Sequence, residues 1–191
     1  GVMDAASGMS LVGTRGRAMA EAATQAQTGM SAVVGGVEAD VLARVAELDL
    51  TPANYNGAGQ IVAAGDLVAL AALSAEAPRG TRVVPLQVAG AFHTRYMEPA
   101  RAALATAVDE LVASGAVQDP TTTLWTNSDG TTVASGNRAL ELLVGQVASP
   151  VRWDLCMQSF ADSGITGLVE LTPGGTLVGL AKRALRGVPA V

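Results

Sequence analysis

Cysteine, histidine and aromatic residues are all scarce in this 191-residue chain, which has one Cys, one His and only 3% Phe, Trp and Tyr together. Cys156, standing alone, can form no intrachain disulfide and no cysteine cluster for a metal, which fits a reducing compartment such as the cytoplasm. Charge is sparse as well, at 15% of residues, and biased negative, with a net charge of -5 and an isoelectric point near 4.8. That excludes the clustered lysines and arginines by which a protein neutralises nucleic-acid phosphates, so an anionic ligand has to meet individual arginines. No apolar run approaches the roughly 18 residues that cross a bilayer. The start, Gly1-Val2-Met3-Asp4, has no basic stretch ahead of an apolar one. Neither nucleic acid nor a membrane is expected as a partner, and no resident cofactor or metal is expected.

What is present is a globular composition. Apolar residues make up 49% of the chain, enough at this length for one good-sized core, or one core with a smaller lobe attached. There is no repeat and no low-complexity tract. Asp4 reads as an N-cap, and Leu11, Val12, Arg15 and Met19 follow at helical spacing up to a break at residues 27–29. Gly8, Gly13 and Gly16 weigh against that helix.

From residue 30 to 88 the periodicity switches regularly: strand 30–37, helix 38–48, strands 51–56 and 60–64 around Gly57-Ala58-Gly59, helix 67–77, strand 82–88. This βαββαβ order predicts a ferredoxin-like lobe over residues 30–89. Beyond Phe92 the pattern predicts a long helix, a strand at 122–126, helices at 138–147 and 153–162, a strand at 167–171 and a last helix at 176–185. Residues 1–29 and 90–191 therefore read as a larger α/β part. So few strands cannot close such a layer, and it is expected to lean on strands from outside the chain.

Four positions draw attention for their chemistry. Arg15, four residues from both Leu11 and Met19, falls on the apolar face of its helix. It needs a partner there, either a structural carboxylate or the carboxylate of a ligand held by its two-pronged guanidinium. His93, the only histidine, leaves an apolar strand through Gly90-Ala91-Phe92. It is either a satisfied, partly buried side chain or a proton carrier held where a strand meets a loop. Asn54, Asn56 and Gln60 surround a glycine turn, as in an ordinary hairpin, or as a polar wall that offers neutral donors and acceptors to a thioester. Pro173-Gly174-Gly175 before the last helix is either a capped start or a cradle for phosphate.

Taken in order, four blocks resemble the malonyl-CoA:acyl carrier protein transacylases and the acyltransferase domains of fatty acid and polyketide synthases. They are Thr14-Arg15-Gly16-Arg17-Ala18-Met19, the stretch from Asn54 to Gly65, Gly90-Ala91-Phe92-His93-Thr94-Arg95-Tyr96-Met97, and Gln146 with Ser149-Pro150-Val151-Arg152-Trp153 and Glu170-Leu171-Thr172-Pro173-Gly174. The resemblance implies an α/β-hydrolase-like core with an inserted βαββαβ lobe. It further implies transfer of malonyl from coenzyme A to the phosphopantetheine thiol of acyl carrier protein. By that resemblance Arg15 holds the malonyl carboxylate, His93 is the general base and acid, and the backbone carbonyl of Gln146 fixes the His93 tautomer, in place of the acid of a Ser-His-Asp triad. Asn54 and Asn56 fall near the active site, and Phe92 resembles the malonyl-selective members. The family's nucleophile sits in a G-H-S-x-G elbow, and no G-x-S-x-G occurs in these 191 residues. The chain is therefore expected to be an incomplete, inactive part of such an enzyme, or else a non-catalytic module that binds coenzyme A or acyl carrier protein.

Overall fold

Asp4 opens the first helix, α1 (Ala5–Ala23), by accepting the Ser7 amide at 2.7 Å, which satisfies one of the donors a helix start leaves free. The three glycines do not interrupt it, because Leu11, Met19 and Ala22 are buried against α4 (Glu98–Ala113) and α5 (Gly136–Gln146). Packing of this kind outweighs the weak helix propensity of glycine. The computed structural model describes all residues from 1 to 191.

Between α1 and α4 the chain runs β1 (Thr28–Gly35), α2 (Glu38–Glu47), β2 (Thr51–Gly57), β3 (Gln60–Asp66), α3 (Leu67–Ala75) and β4 (Thr81–Leu86). This is the βαββαβ order expected, with element ends shifted by at most two residues. The sheet order is β4-β1-β3-β2, with every neighbouring pair antiparallel. Period-two alternation divides its strands between two cores. Val33, Ile61 and Ala63 pack under α2 and α3, while Met30, Ala32, Val62 and Ala64 face the opposite way, toward Ala91, Phe92 and Tyr96.

A fifth strand, β5 (Val151–Arg152), adds to the free side of β2 in parallel register, Asn54 opposite Val151 and Tyr55 opposite Arg152. The sheet is thus continued by residues far along the chain. Arg152 holds this joint by lying 4.6 Å above the Tyr55 ring while its guanidinium grips Asp154 through two hydrogen bonds of 3.0 and 2.7 Å. Helices α6 (Trp153–Asp162) and α7 (Thr176–Ala184) complete the fold and share a fourth apolar cluster around Met157 and Leu180.

Two expected strands are not formed as such. Residues 122–126 make only the single bridge Trp125–Thr132, and residues 167–171 only the bridge Leu168–Ala190. Each is joined only to a short return segment, residues 131–133 and 189–191 respectively, so neither grows into a ladder.

Candidate functional site

The loop that carries His93 is held at both ends of the Ala91 peptide. The Ala91 amide donates to the Thr28 hydroxyl at 3.0 Å, and the Ala91 carbonyl accepts from the Thr94 hydroxyl at 2.6 Å. Between these anchors His93 adopts φ 61°, a left-handed conformation that a residue with a Cβ takes only when its surroundings impose it. Phe92 packs against both the helical cluster and the sheet cluster, wedging the loop between them.

The His93 ring meets the last residue of α5. Nδ1 lies 3.1 Å from the Gln146 carbonyl oxygen and 2.8 Å from the Gln146 side-chain nitrogen. The other end of that side chain, Oε1, accepts from Arg15 Nη2 at 3.2 Å. Arg15 and His93, distant in sequence, are therefore joined through one amide. Arg15 is half-buried, and none of the six ion pairs in the chain includes it, so its site holds a cation facing only a neutral acceptor. Burial alone pulls its pKa below the usual arginine value. His93 is likewise pulled below the ordinary imidazole range, above all by burial. The bond to the Gln146 carbonyl opposes this, and the charge of Arg15 adds to it. A neutral imidazole is thereby favoured.

Gln146 also lines a cavity of about 610 Å³ between β2, β5, α5, α6 and α7. Asn54 and Asn56, two residues apart on β2, line the same cavity, as alternation on a strand requires. Its remaining wall is mostly apolar, including Leu124, Leu143, Val151 and Leu177. Of the two Trp, two Tyr and two Phe in the chain, both Trp and one Phe gather here, with Trp125 and Trp153 edge-on to Phe160 at 5.1 and 5.7 Å. Cys156 lies in the wall too, and burial, reinforced by Asp154 and Asp129, pushes its thiol up to about 11, so it is a packing residue rather than a nucleophile. The apolar wall escaped the sequence reading because lining residues and core residues have the same composition. The phosphate cradle does not stand, because the Glu170 carboxylate already accepts the amides of Gly175, Leu177 and Val178 at 2.7, 3.2 and 3.0 Å.

No protein-family model matches the chain. It is 51% identical over 190 residues to the malonyl CoA-acyl carrier protein transacylase of Mycobacterium tuberculosis, an alignment that takes in 100% of the chain and 62% of the relative. To the Escherichia coli enzyme of the same name it is 31% identical over 189 residues, or 96% of the chain and 60% of the relative. The crystal structure of the M. tuberculosis enzyme superposes with a TM-score of 0.94 at 50% identity, covering 100% of the chain and 62% of that protein. An acyl carrier protein S-malonyltransferase from Vibrio cholerae superposes with 0.89 at 29% identity, covering 100% and 63%. The chain thus spans less than two thirds of the length of these relatives. Over its whole length it is homologous to part of the malonyl CoA-acyl carrier protein transacylases, whose fold it shares.

Proposed function

We propose that the chain provides the carboxylate anchor and the general base for transfer of a malonyl group from coenzyme A to the phosphopantetheine thiol of acyl carrier protein, in fatty acid or polyketide synthesis. The convergence of Arg15 and His93 on Gln146 is the observation that carries this reading. A malonyl group has only a few atoms between its carboxylate and its thioester carbonyl, so anchor and base have to lie this near each other. Arg15 would grip the carboxylate in two-pronged fashion. His93 would exchange a proton with the attacking and leaving groups. Asn54 and Asn56 line the cavity in which the thioester would lie, and Phe92 would limit branching beside the histidine.

In the same reading, residues 30–89 form the smaller of two subdomains, and the setting is cytoplasmic. A covalent acyl-enzyme needs a serine in a strand-to-helix elbow, and the 191 residues contain no G-x-S-x-G. The chain alone would hold substrate and base without completing the route.

Transfer assays with malonyl-CoA and acetyl-CoA test this, on the chain alone and on the chain joined to the part of the M. tuberculosis relative that it does not match. The expected result is no transfer by the chain alone and malonyl transfer by the joined form. Arg15→Ala should then lower malonyl transfer far more than acetyl transfer, since only malonyl brings a carboxylate. Equal losses would make Arg15 structural. Transfer by the chain alone would overturn the incomplete route. Binding of coenzyme A or carrier protein with no transfer in either form would favour a binding module.

A further inference from the structure

Two contacts at His93 exclude one another. The Gln146 carbonyl, 3.1 Å from Nδ1, requires a proton on that nitrogen. The Gln146 side-chain nitrogen, 2.8 Å from the same atom, requires a lone pair there, because an amide nitrogen only donates. The amide cannot resolve the conflict by turning over, since its nitrogen would then face Arg15 Nη2, a second donor. Arg15 thus keeps Oε1 toward itself and Nε2 of the amide toward the ring. With the amide so held, its contact, the shorter of the two, is satisfied only when the neutral ring carries its proton on Nε2. An Nε2 in that state has no lone pair with which to take a proton from a nucleophile.

We propose that the Gln146 side chain is a latch that keeps His93 in a tautomer unable to act as base until a carboxylate occupies Arg15. The inference rests on Arg15 being the anchor for the acyl carboxylate. A carboxylate offers the guanidinium two charge-assisted bonds in exchange for one neutral bond of 3.2 Å, and so displaces the amide oxygen. Once Oε1 has lost its partner the amide is free to swing away, and Nδ1 can donate to the Gln146 carbonyl. The ring stays neutral throughout: one proton leaves Nε2 for solvent water and one is taken up at Nδ1. Nε2 then presents its lone pair. An acyl group without a carboxylate leaves the latch shut, so malonyl is distinguished from acetyl in the activation of the base as well as in binding. Gln146 is on this account a positioning residue that acts through His93.

The chain has a single histidine, so long-range nitrogen–proton correlation spectra of the isotope-labelled chain report one ring without ambiguity. At neutral pH the ligand-free chain should show the proton predominantly on Nε2. Saturating monomethyl malonate, which carries one carboxylate, should move it predominantly to Nδ1, and dimethyl malonate, which carries none, should leave it in place. Gln146→Ala keeps the carbonyl and removes the amide, and should show the proton on Nδ1 with no ligand at all. Gln146→Leu serves the same purpose at nearly native side-chain size if the smaller residue disturbs folding, which amide dispersion reports. A proton already on Nδ1 in the ligand-free chain, or still on Nε2 in both variants, overturns the latch. If monomethyl malonate shifts the Arg15 guanidinium signal but not the tautomer, the release step is wrong while the anchor stands. If it leaves the Arg15 signal unmoved, the anchor falls and the release step falls with it.

Discussion

Thr28 and Ala91 join the first strand to the loop that carries His93: the Thr28 hydroxyl accepts the Ala91 amide at 3.0 Å, and both residues are buried. Thr28→Val would leave that amide buried and unpaired, at a cost of about 1–3 kcal/mol. Thr28→Ser keeps an oxygen in reach and should cost less. Urea midpoints for the two variants decide it. If valine is no worse than serine, the Ala91 amide has another partner and the loop is held differently.

His93 gives the chain a pH dependence of its own. Its pKa in the folded state lies below the ordinary value, chiefly through burial, while in the unfolded chain it returns to about 6.5. Above that pH the ring is neutral in both states and contributes nothing. As the pH falls through about 6.5 the unfolded chain takes up the proton first, and stability declines until the folded ring protonates as well. His93→Asn, which tolerates the same positive φ, should flatten this part of the profile. Glu170 and Asp49, held low by amide bonds from Val178 and by Arg95 respectively, act at more acidic pH, so the two windows separate. Superimposable profiles for wild type and variant between neutrality and the acid limb would remove His93 as the cause.

Gly130 and Gly115 share a left-handed backbone, with φ 75° and 76°, but differ in what surrounds them. A Cβ at Gly130 would stand 2.5 Å from the Leu155 carbonyl carbon, whereas one at Gly115 meets nothing within 4 Å. Gly115→Ala should therefore cost only the conformational strain, about 1–2 kcal/mol. Gly130→Ala adds a clash with backbone that cannot move aside, and should cost clearly more. Thermal unfolding of the two variants side by side would show it, and equal shifts would mean that the loop at Gly130 yields.

Glu170 caps α7 from outside the helix, its carboxylate accepting three amides of the first turn and the residue before it. A negative charge at a helix N-terminus is also favoured by the helix dipole. Glu170→Gln removes that charge, and hydrogen exchange in the first turn of α7 should accelerate while amides in β1 and β3 are unaffected. A global loss of protection instead would place Glu170 in the main folding unit rather than in a local cap.

Much of this is legible in the sequence. The alternation between residues 30 and 88 specified the βαββαβ order, because the change of period from 2 to 3.6 follows from which faces are buried. The spacing of Leu11, Arg15 and Met19 placed an arginine on an apolar face for the same reason. His93 stood out as the single histidine following an apolar strand, although β4 ends at Leu86 and His93 lies in the loop beyond it, and the matched blocks named Gln146 for its carbonyl.

The sequence could not give the side-chain role of Gln146, because its amide matters only through two partners that lie 131 and 53 residues away. Nor could it show that β5 would extend the sheet, or that both tryptophans and Phe160 would share one cavity wall. Local periodicity records which face of an element is buried, and the sequence by itself determined that much. Which buried faces meet, and which polar groups are brought into the same small volume when they do, depends on long-range packing, and only the tertiary structure decided it.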